Sequence, residues 1–413
     1  MSQGGAEPAS LPVGSRDVLP AEATELRAIE AALTARFAAW GYREVVTPAL
    51  EFASVMDRAA EGGLRHAFRL FDETGRVLVL RPDLTIPVAR LVSGRLADHP
   101  GPVRVFYLGT AFQSPPAGRA WPAELRQAGI ELVGAAGPAA DAEVLALLVE
   151  SLAATGVTGV RVAVGDVWLT QAVLDGAGIG VATRERMRAA IARRDLVSWR
   201  EEARAAGAPA IVEELPRLRG GRDILARIAE ESEGARAECE RLTTMLDLLD
   251  RHGVGSAVEI DLGVLRDRPY YTGIVAEAYA PGVGSPIAAG GRYDGLAERF
   301  GHARAAVGVA VSLDALHRAV AAGEGGKGFA PFPLGVVLAG GMDDDIDGAY
   351  ATRAAGHTVV ALEASGDGAE ALAAADGWRF VAHRKGRGYE VVDIESGQRI
   401  ACATLAEGLP SPA

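Results

Sequence analysis

The sequence predicts an α+β protein that carries a helical insertion and a small C-terminal α/β domain. Two strand-type runs, Val103 to Leu108 (VRVFYL) and Gly129 to Gly134 (GIELVG), are separated by a polar, proline-containing loop. From Thr183 to about His252 the chain turns Arg/Glu/Ala-rich and helical, a composition suited to a solvated bundle face. Past a glycine-rich linker at Ala321 to Gly328, short strands alternate with helices. The expected segments are a tail over 1–13, a core over 14–180 and 253–321, the insertion over 181–252, a linker over 322–329 and the last domain over 330–413.

At 413 residues, 49% hydrophobic and 23% charged, the chain reads as an ordinary globular protein long enough for more than one domain. A formal net charge of -12 argues against a protein whose main task is gripping a polyanion. Only Cys239 and Cys402 are present, without CxxC spacing, which points away from a zinc site or disulfide framework and toward a reducing compartment. The start lacks a basic stretch followed by an apolar core, and no apolar run reaches membrane-spanning length, so the expected location is the cytoplasm. With no HExxH, Walker loop or nucleophile elbow in view, neither a catalytic residue nor a metal or cofactor is expected.

Ala21 to Trp40 repeats Ala, Leu, Ile and Phe at helical spacing and stops at Gly41; Tyr42 to Pro48 then reads as a strand closed by proline. Phe68 to Leu80 (FRLFDETGRVLVL) is a hairpin turning at Glu73-Thr74-Gly75. In Arg81-Pro82-Asp83-Leu84-Thr85, Pro82 sets the strand exit and a helix starts at Thr85. Asp83 and Thr85 present an acid and a hydroxyl at its mouth, and a helix cap accounts for the same two residues. Ala139 to Ala154 is a helix, Val160 to Val164 a strand and Trp168 to Leu174 a helix; Gly176 to Gly180 follows helix and is its stop, not a dinucleotide loop. In the last domain Leu334 to Ala339 and Thr358 to Leu362 are strands, Asp345 to Ala355 and Ala369 to Ala375 helices, and Trp378 to Leu405 a final hairpin. Asp343, Asp344 and Asp345 read as acids at a helix start.

Leu262 to Leu316 is the most specific stretch. Arg266, Tyr270, Tyr271 and Gly273 sit among β-type residues, where a guanidinium can meet an anionic group and phenol rings can wall a small pocket. In Gly290-Gly291-Arg292-Tyr293-Asp294-Gly295 the paired glycines admit positive φ and close backbone approach, while Arg292 and Asp294 can tie strand to helix. Together the two segments resemble the R-x-x-x-YYTG and GGRYDGL segments of the histidyl-tRNA synthetase family, a class II synthetase fold. The resemblance runs from about Gly14 to Leu316 and more weakly beyond. It implies an antiparallel core sheet of six or seven strands flanked by helices, and a dimer through the Ala21 to Pro48 region.

The same resemblance divides the site. It puts Asp83, Thr85, Gln127, Glu131, Arg266, Tyr270 and Tyr271 where the family holds histidine. Where the family carries arginines for the ATP phosphates, this chain has Gln113 and, within Ser312 to Leu316, Ala315. The run RPD-x-T-x-P-x-AR, with an aspartate in place of the usual glutamate, is closer to the non-synthetase branch, the regulatory subunits of ATP phosphoribosyltransferase. That branch implies a non-catalytic chain and a short-form catalytic subunit as partner. It also implies a dimer within a hetero-oligomer, histidine as ligand and feedback signal in histidine biosynthesis, and neither nucleic acid nor membrane as partner. The alternatives are an active histidyl-tRNA synthetase, with Arg119 or Arg126 as replacement cation, and a free-standing amino-acid sensor.

Overall fold

The computed structural model describes residues 11–60, 66–114, 122–264, 270–323, 335–339, 346–355, 357–362, 366–375 and 378–410. Arg119, Arg266 and the run 343–345, singled out above, lie outside them. The chain divides into two compact units, Met1–Asp17 with Ile29–Gly326 and Val18–Ala28 with Lys327–Ala413.

Helix α1 (Pro20–Ala39) opens on a proline, whose missing N–H has no partner to lose at a helix start, and is followed by Gly41 at φ 81. The strand expected over Tyr42 to Pro48 shrinks to β1 (Arg43–Glu44). Its remainder is diverted, because the carbonyls of Thr47 and Pro48 accept from the buried Arg81 guanidinium at 2.6 and 3.4 Å. After β2 (Leu50–Phe52) and α2 (Ala53–Ala60), the expected hairpin appears as β3 (Arg69–Phe71) and β4 (Val77–Leu80), in a small antiparallel sheet ordered β2-β4-β3. Asp72 fixes its turn by accepting from the backbone N–H of Thr74 and of Arg76, each at 2.9 Å. Helix α3 (Thr85–Arg95) follows where the sequence puts it.

The main sheet combines β1 with β5 (Val103–Phe112), β6 (Glu124–Val133), β7 (Arg161–Asp166), β8 (Arg219–Gly220), β9 (Val258–Asp261), β10 (Ile274–Tyr279), β11 (Ala288–Arg292) and β12 (Ala306–Ser312). Among the described residues its order is β1-β5-β6-β12-β11-β10-β7-β9-β8. From β5 to β7 every pairing is antiparallel, β1 and β9 join in parallel, and β8 lies antiparallel to β9. Nine strands thus replace the expected six or seven. Beyond the seven strands from β5 to β9 lie the two-residue edge strands β1, the remnant of the expected Tyr42 to Pro48 strand, and β8, too short to show a period of two, at the Gly220-Gly221 break of a stretch read as wholly helical.

Helix α4 (Pro138–Ala154) lies against β6 and β12, and its Val144, Leu145, Leu147 and Leu152 are fully buried. Each such aliphatic side chain contributes roughly 1.5–3 kcal/mol of transfer free energy. Helix α5 (Val167–Gly176) is capped by Asp166, which accepts from Leu169 N–H at 2.7 Å. The insertion is α6 (Val181–Ala192), α7 (Leu196–Ala205), α8 (Ala210–Glu214), α9 (Arg222–Glu231) and α10 (Arg236–Arg251), the last packed on α4. Its centre is Trp199, fully buried and donating to the Val212 carbonyl at 2.8 Å. Arg292 makes the expected tie between strand and helix: its guanidinium meets Asp141 of α4 at 2.7 Å, both nearly without solvent exposure, and Asp294 at 3.0 Å. Asp294 also accepts from Ala306 N–H at 2.9 Å, which pins the start of β12. Helix α11 (Leu313–Ala322) completes this unit's secondary structure.

The second unit alternates as expected: β13 (Gly335–Ala339), α12 (Ile346–Ala354), β14 (Thr358–Leu362) and α13 (Asp367–Ala375), then β15 (Phe380–Lys385), β16 (Gly388–Asp393) and β17 (Arg399–Cys402). Its sheet is ordered β14-β13-β15-β16-β17, parallel over the first three strands and antiparallel over the rest. The final hairpin is therefore a three-stranded meander. Its second turn closes where Asp393 N–H donates to the Gln398 carbonyl at 2.8 Å and Gly397 takes φ 70. Among the described residues no helix is long and apolar enough to cross a membrane.

Candidate ligand-binding site

Alternation along β6 sends Gln127, Gly129 and Glu131 to one face of the main sheet and the fully buried Ala128, Ile130 and Leu132 to the other. On β12, Ser312 stands opposite Gln127 and Gly308 opposite Glu131. The glycine decides what fits, because a Cβ on Gly308 would stand 1.6 Å from Oε2 of Glu131. Gly291 faces Gly308 in turn, and a Cβ there would meet the Tyr271 ring at 3.0 Å. Small residues in register thus open the sheet face into a cavity of about 150 Å³.

Asp83 and Thr85 at the start of α3, Gln127 of β6, and Tyr270 and Tyr271 ahead of β10 all line this cavity. Residues distant in sequence but singled out for one ligand therefore share one space. Glu131, 1% exposed, is not in the lining but lies behind it, opposite the lining Gly308 and hydrogen-bonded by the lining Tyr293, and Arg266 is outside the described residues. The Oδ1 of Asp83 accepts from Ile86 N–H at 3.0 Å in the first turn of α3, and the same residue lines the cavity. The rings of Tyr270 and Tyr271 meet edge to face at 4.9 Å between centroids, and Tyr270 and Tyr293 at 6.1 Å, so the aromatic wall is braced against itself.

Burial pushes the Glu131 carboxyl up to about 8, the hydroxyls of Tyr293 and Thr85 pull it down, and the charge of Asp83 pushes it up again. At neutral pH Glu131 is mostly a neutral acid in a short hydrogen bond from the Tyr293 hydroxyl. Burial also holds the phenols of Tyr107 and Tyr293 well above their ordinary range, so both stay protonated. Sequence reasoning missed these two tyrosines. Tyr293 was legible in principle as the ring inside GGRYDG. Tyr107 carried no signal of its own, being one aromatic in an apolar strand. It fits because Gly129 stands opposite it, where a Cβ would lie 2.3 Å from the phenol oxygen.

Two further positions border the same region of the fold. Gln113, just past β5, donates from Nε2 to the Pro82 carbonyl at 3.3 Å. Ala315, in the first turn of α11, is 3% exposed, and its N–H donates to the capping Ser312 hydroxyl at 3.3 Å.

A family model described as histidyl-tRNA synthetase matches residues 14–316. An ATP phosphoribosyltransferase regulatory subunit of Moorella thermoacetica is 40% identical over 318 residues, covering 75% of this chain and 81% of that protein. One from Rubrobacter xylanophilus is 42% identical over 318 residues, 73% of this chain and 75% of that protein. The chain belongs to the ATP phosphoribosyltransferase regulatory subunit family. Solved members agree in fold: the crystal structure of an ATP phosphoribosyltransferase regulatory subunit/histidyl-tRNA synthetase from Bacillus halodurans C matches with TM-score 0.81 and 29% identity, over 92% of this chain and 99% of that one. A histidyl-tRNA synthetase from Nostoc sp. PCC 7120 reaches TM-score 0.82 at 22% identity over 97% and 98% of the two chains, a likeness of fold alone. The family and the class II architecture expected from R-x-x-x-YYTG and GGRYDGL are those of this chain.

Proposed function

We propose that this chain is a non-catalytic regulatory subunit of ATP phosphoribosyltransferase, required for the first step of histidine biosynthesis, and that histidine occupies the cavity and carries feedback. One observation supports the reading above others: Asp83, Thr85, Gln127, Tyr270 and Tyr271, five of the residues suited to an amino acid, line one cavity, while Gln113 and Ala315 stand where the resemblance calls for ATP-phosphate arginines. Asp83 receives the ligand's ammonium group, Gln127 and Glu131 address its imidazole, Tyr270 and Tyr271 wall it, and Arg266 supplies a cation for its carboxylate. Adenylation needs cations aimed at developing phosphate charge, and losing one such donor costs about 3–4 kcal/mol of transition-state stabilisation. A cavity with the first set and without the second binds and does not adenylate.

A separate short-form catalytic subunit then joins ATP to phosphoribosyl pyrophosphate, and this chain, as a dimer within a cytoplasmic hetero-oligomer, activates it. Feedback follows if histidine binds the less active state of the complex more tightly, each tenfold preference being worth about 1.4 kcal/mol of coupling. The test is reconstitution with the short catalytic subunit. Activity should require this chain, fall with added histidine, and lose that inhibition in Asp83→Asn while activation remains. Histidine-dependent ATP–pyrophosphate exchange by the chain alone, or inhibition unchanged in Asp83→Asn, would overturn the reading.

A further inference from the structure

A second cavity, about 160 Å³, opens where the insertion meets the edge of the main sheet. It is lined by Arg194 just after α6, Arg219 of β8, Asp261 of β9, Val264 and Tyr279 of β10. Its charges are layered. Beneath the mouth are acids: the Asp261 side chain, in the lining, is 8% exposed, and that of Glu277, behind the lining and accepting a short hydrogen bond from the lining Tyr279 hydroxyl, 6%. At the mouth are guanidiniums: Arg219 reaches Asp261 at 2.9 Å while 66% exposed, and Arg194 reaches Glu277 at 3.4 Å while 74% exposed.

The backbone adds a second observation. Arg194 has φ 59, the one positive φ on a non-glycine among the described residues. It follows the C-cap of α6 and donates its N–H to the Ile191 carbonyl at 2.7 Å, at a helix-terminating position that glycine ordinarily fills. Keeping a side chain there costs about 1 kcal/mol or more of backbone strain. What the strain secures is a guanidinium at the mouth of the cavity. Neutralising two buried acids would be served better by arginines buried with them.

From this layering we infer that the cavity is a second small-molecule site, built for a zwitterion of the free amino-acid class with its ammonium group inward and its carboxylate between the two arginines. A simple anion fits poorly, because it would come to rest above two buried carboxylates. A free amino acid gives each layer its counter-charge and lets the arginines swing from the acids to the ligand's carboxylate.

The experiment is calorimetric titration of the full chain with each common L-amino acid and with inorganic phosphate, repeated on Arg194→Gly, Arg219→Gln and Asp83→Asn. Arg194→Gly removes the guanidinium and relieves the backbone, so the variant keeps its fold. The expected result is an amino acid whose affinity falls about tenfold or more in both arginine variants, the loss of a charge-assisted contact, and persists in Asp83→Asn. Amino-acid binding confined to a site that Asp83→Asn abolishes and both arginine variants keep, or phosphate binding without any amino-acid binding sensitive to Arg194 and Arg219, would each overturn the assignment.

Discussion

Replacing Glu131 by glutamine should remove a pH dependence of stability that the wild-type chain carries. The carboxyl titrates near 8 in the fold against 4.5 ordinarily, chiefly because burial strips its water. The folded chain therefore holds this proton over a range where the unfolded chain has released it. Stability falls as pH rises from about 4.5 to about 8 and is level on either side of that window. Each pH unit within it is worth about 1.4 kcal/mol, so ionising this acid costs roughly 5 kcal/mol in all. Glutamine keeps the shape and an acceptor for the Tyr293 hydroxyl but never ionises. Equilibrium urea unfolding of both proteins from pH 4.5 to 9 measures the effect. The stability of wild type minus that of Glu131→Gln should decline by about 1.4 kcal/mol per unit up to about pH 8 and then level off. Asp141 and Asp166, also raised by burial, are common to both proteins and cancel in the difference. Parallel profiles, agreeing within about 0.5 kcal/mol at every pH, would refute the claim that Glu131 is a neutral acid in the fold.

Two further expectations follow from the same packing. Gly308→Ala puts a methyl into the Glu131 carboxyl group and should cost about 1–3 kcal/mol by overpacking, with loss of the proposed histidine binding in calorimetry; unchanged melting and binding would mean that the sheet yields there. Arg292→Ala leaves Asp141 buried without its main partner and should cost about 3–5 kcal/mol in urea unfolding, whereas Arg222→Ala breaks only exposed pairs to Asp247 and Asp250 and should stay within about 1 kcal/mol. Equal losses in those two variants would sink the argument from burial.

Local signals carried much of the architecture. The hairpin at Glu73-Thr74-Gly75, the helix from Thr85 and the strand and helix order of the second unit all rest on turn residues, caps and periodicity, which act over a few neighbours and are written in the residues themselves. The strand after α1 failed for a non-local reason: Arg81, more than thirty positions away, takes the carbonyls it needed. β8 was invisible because two residues have no period, and only the β9 edge makes them a strand.

The site divides the same way. The residue types that suit a zwitterion with an imidazole were legible in RPD-x-T, in Gln127 and Glu131, and in the paired tyrosines, because chemistry follows residue type and a family motif fixes spacing. That Asp83, Thr85, Gln127 and the two tyrosines line one cavity, with Glu131 just behind it, was decided by the fold, whose register sets Glu131 against Gly308 and Gly129 against Tyr107 and so makes room for large groups beside bare backbone. The charge state of Glu131 was decided later still, by the desolvation that packing imposes. The tie from Arg292 to Asp141 spans 151 residues of chain, a distance over which sequence has no direct voice, since the partner of a buried charge is chosen by the fold that buries it.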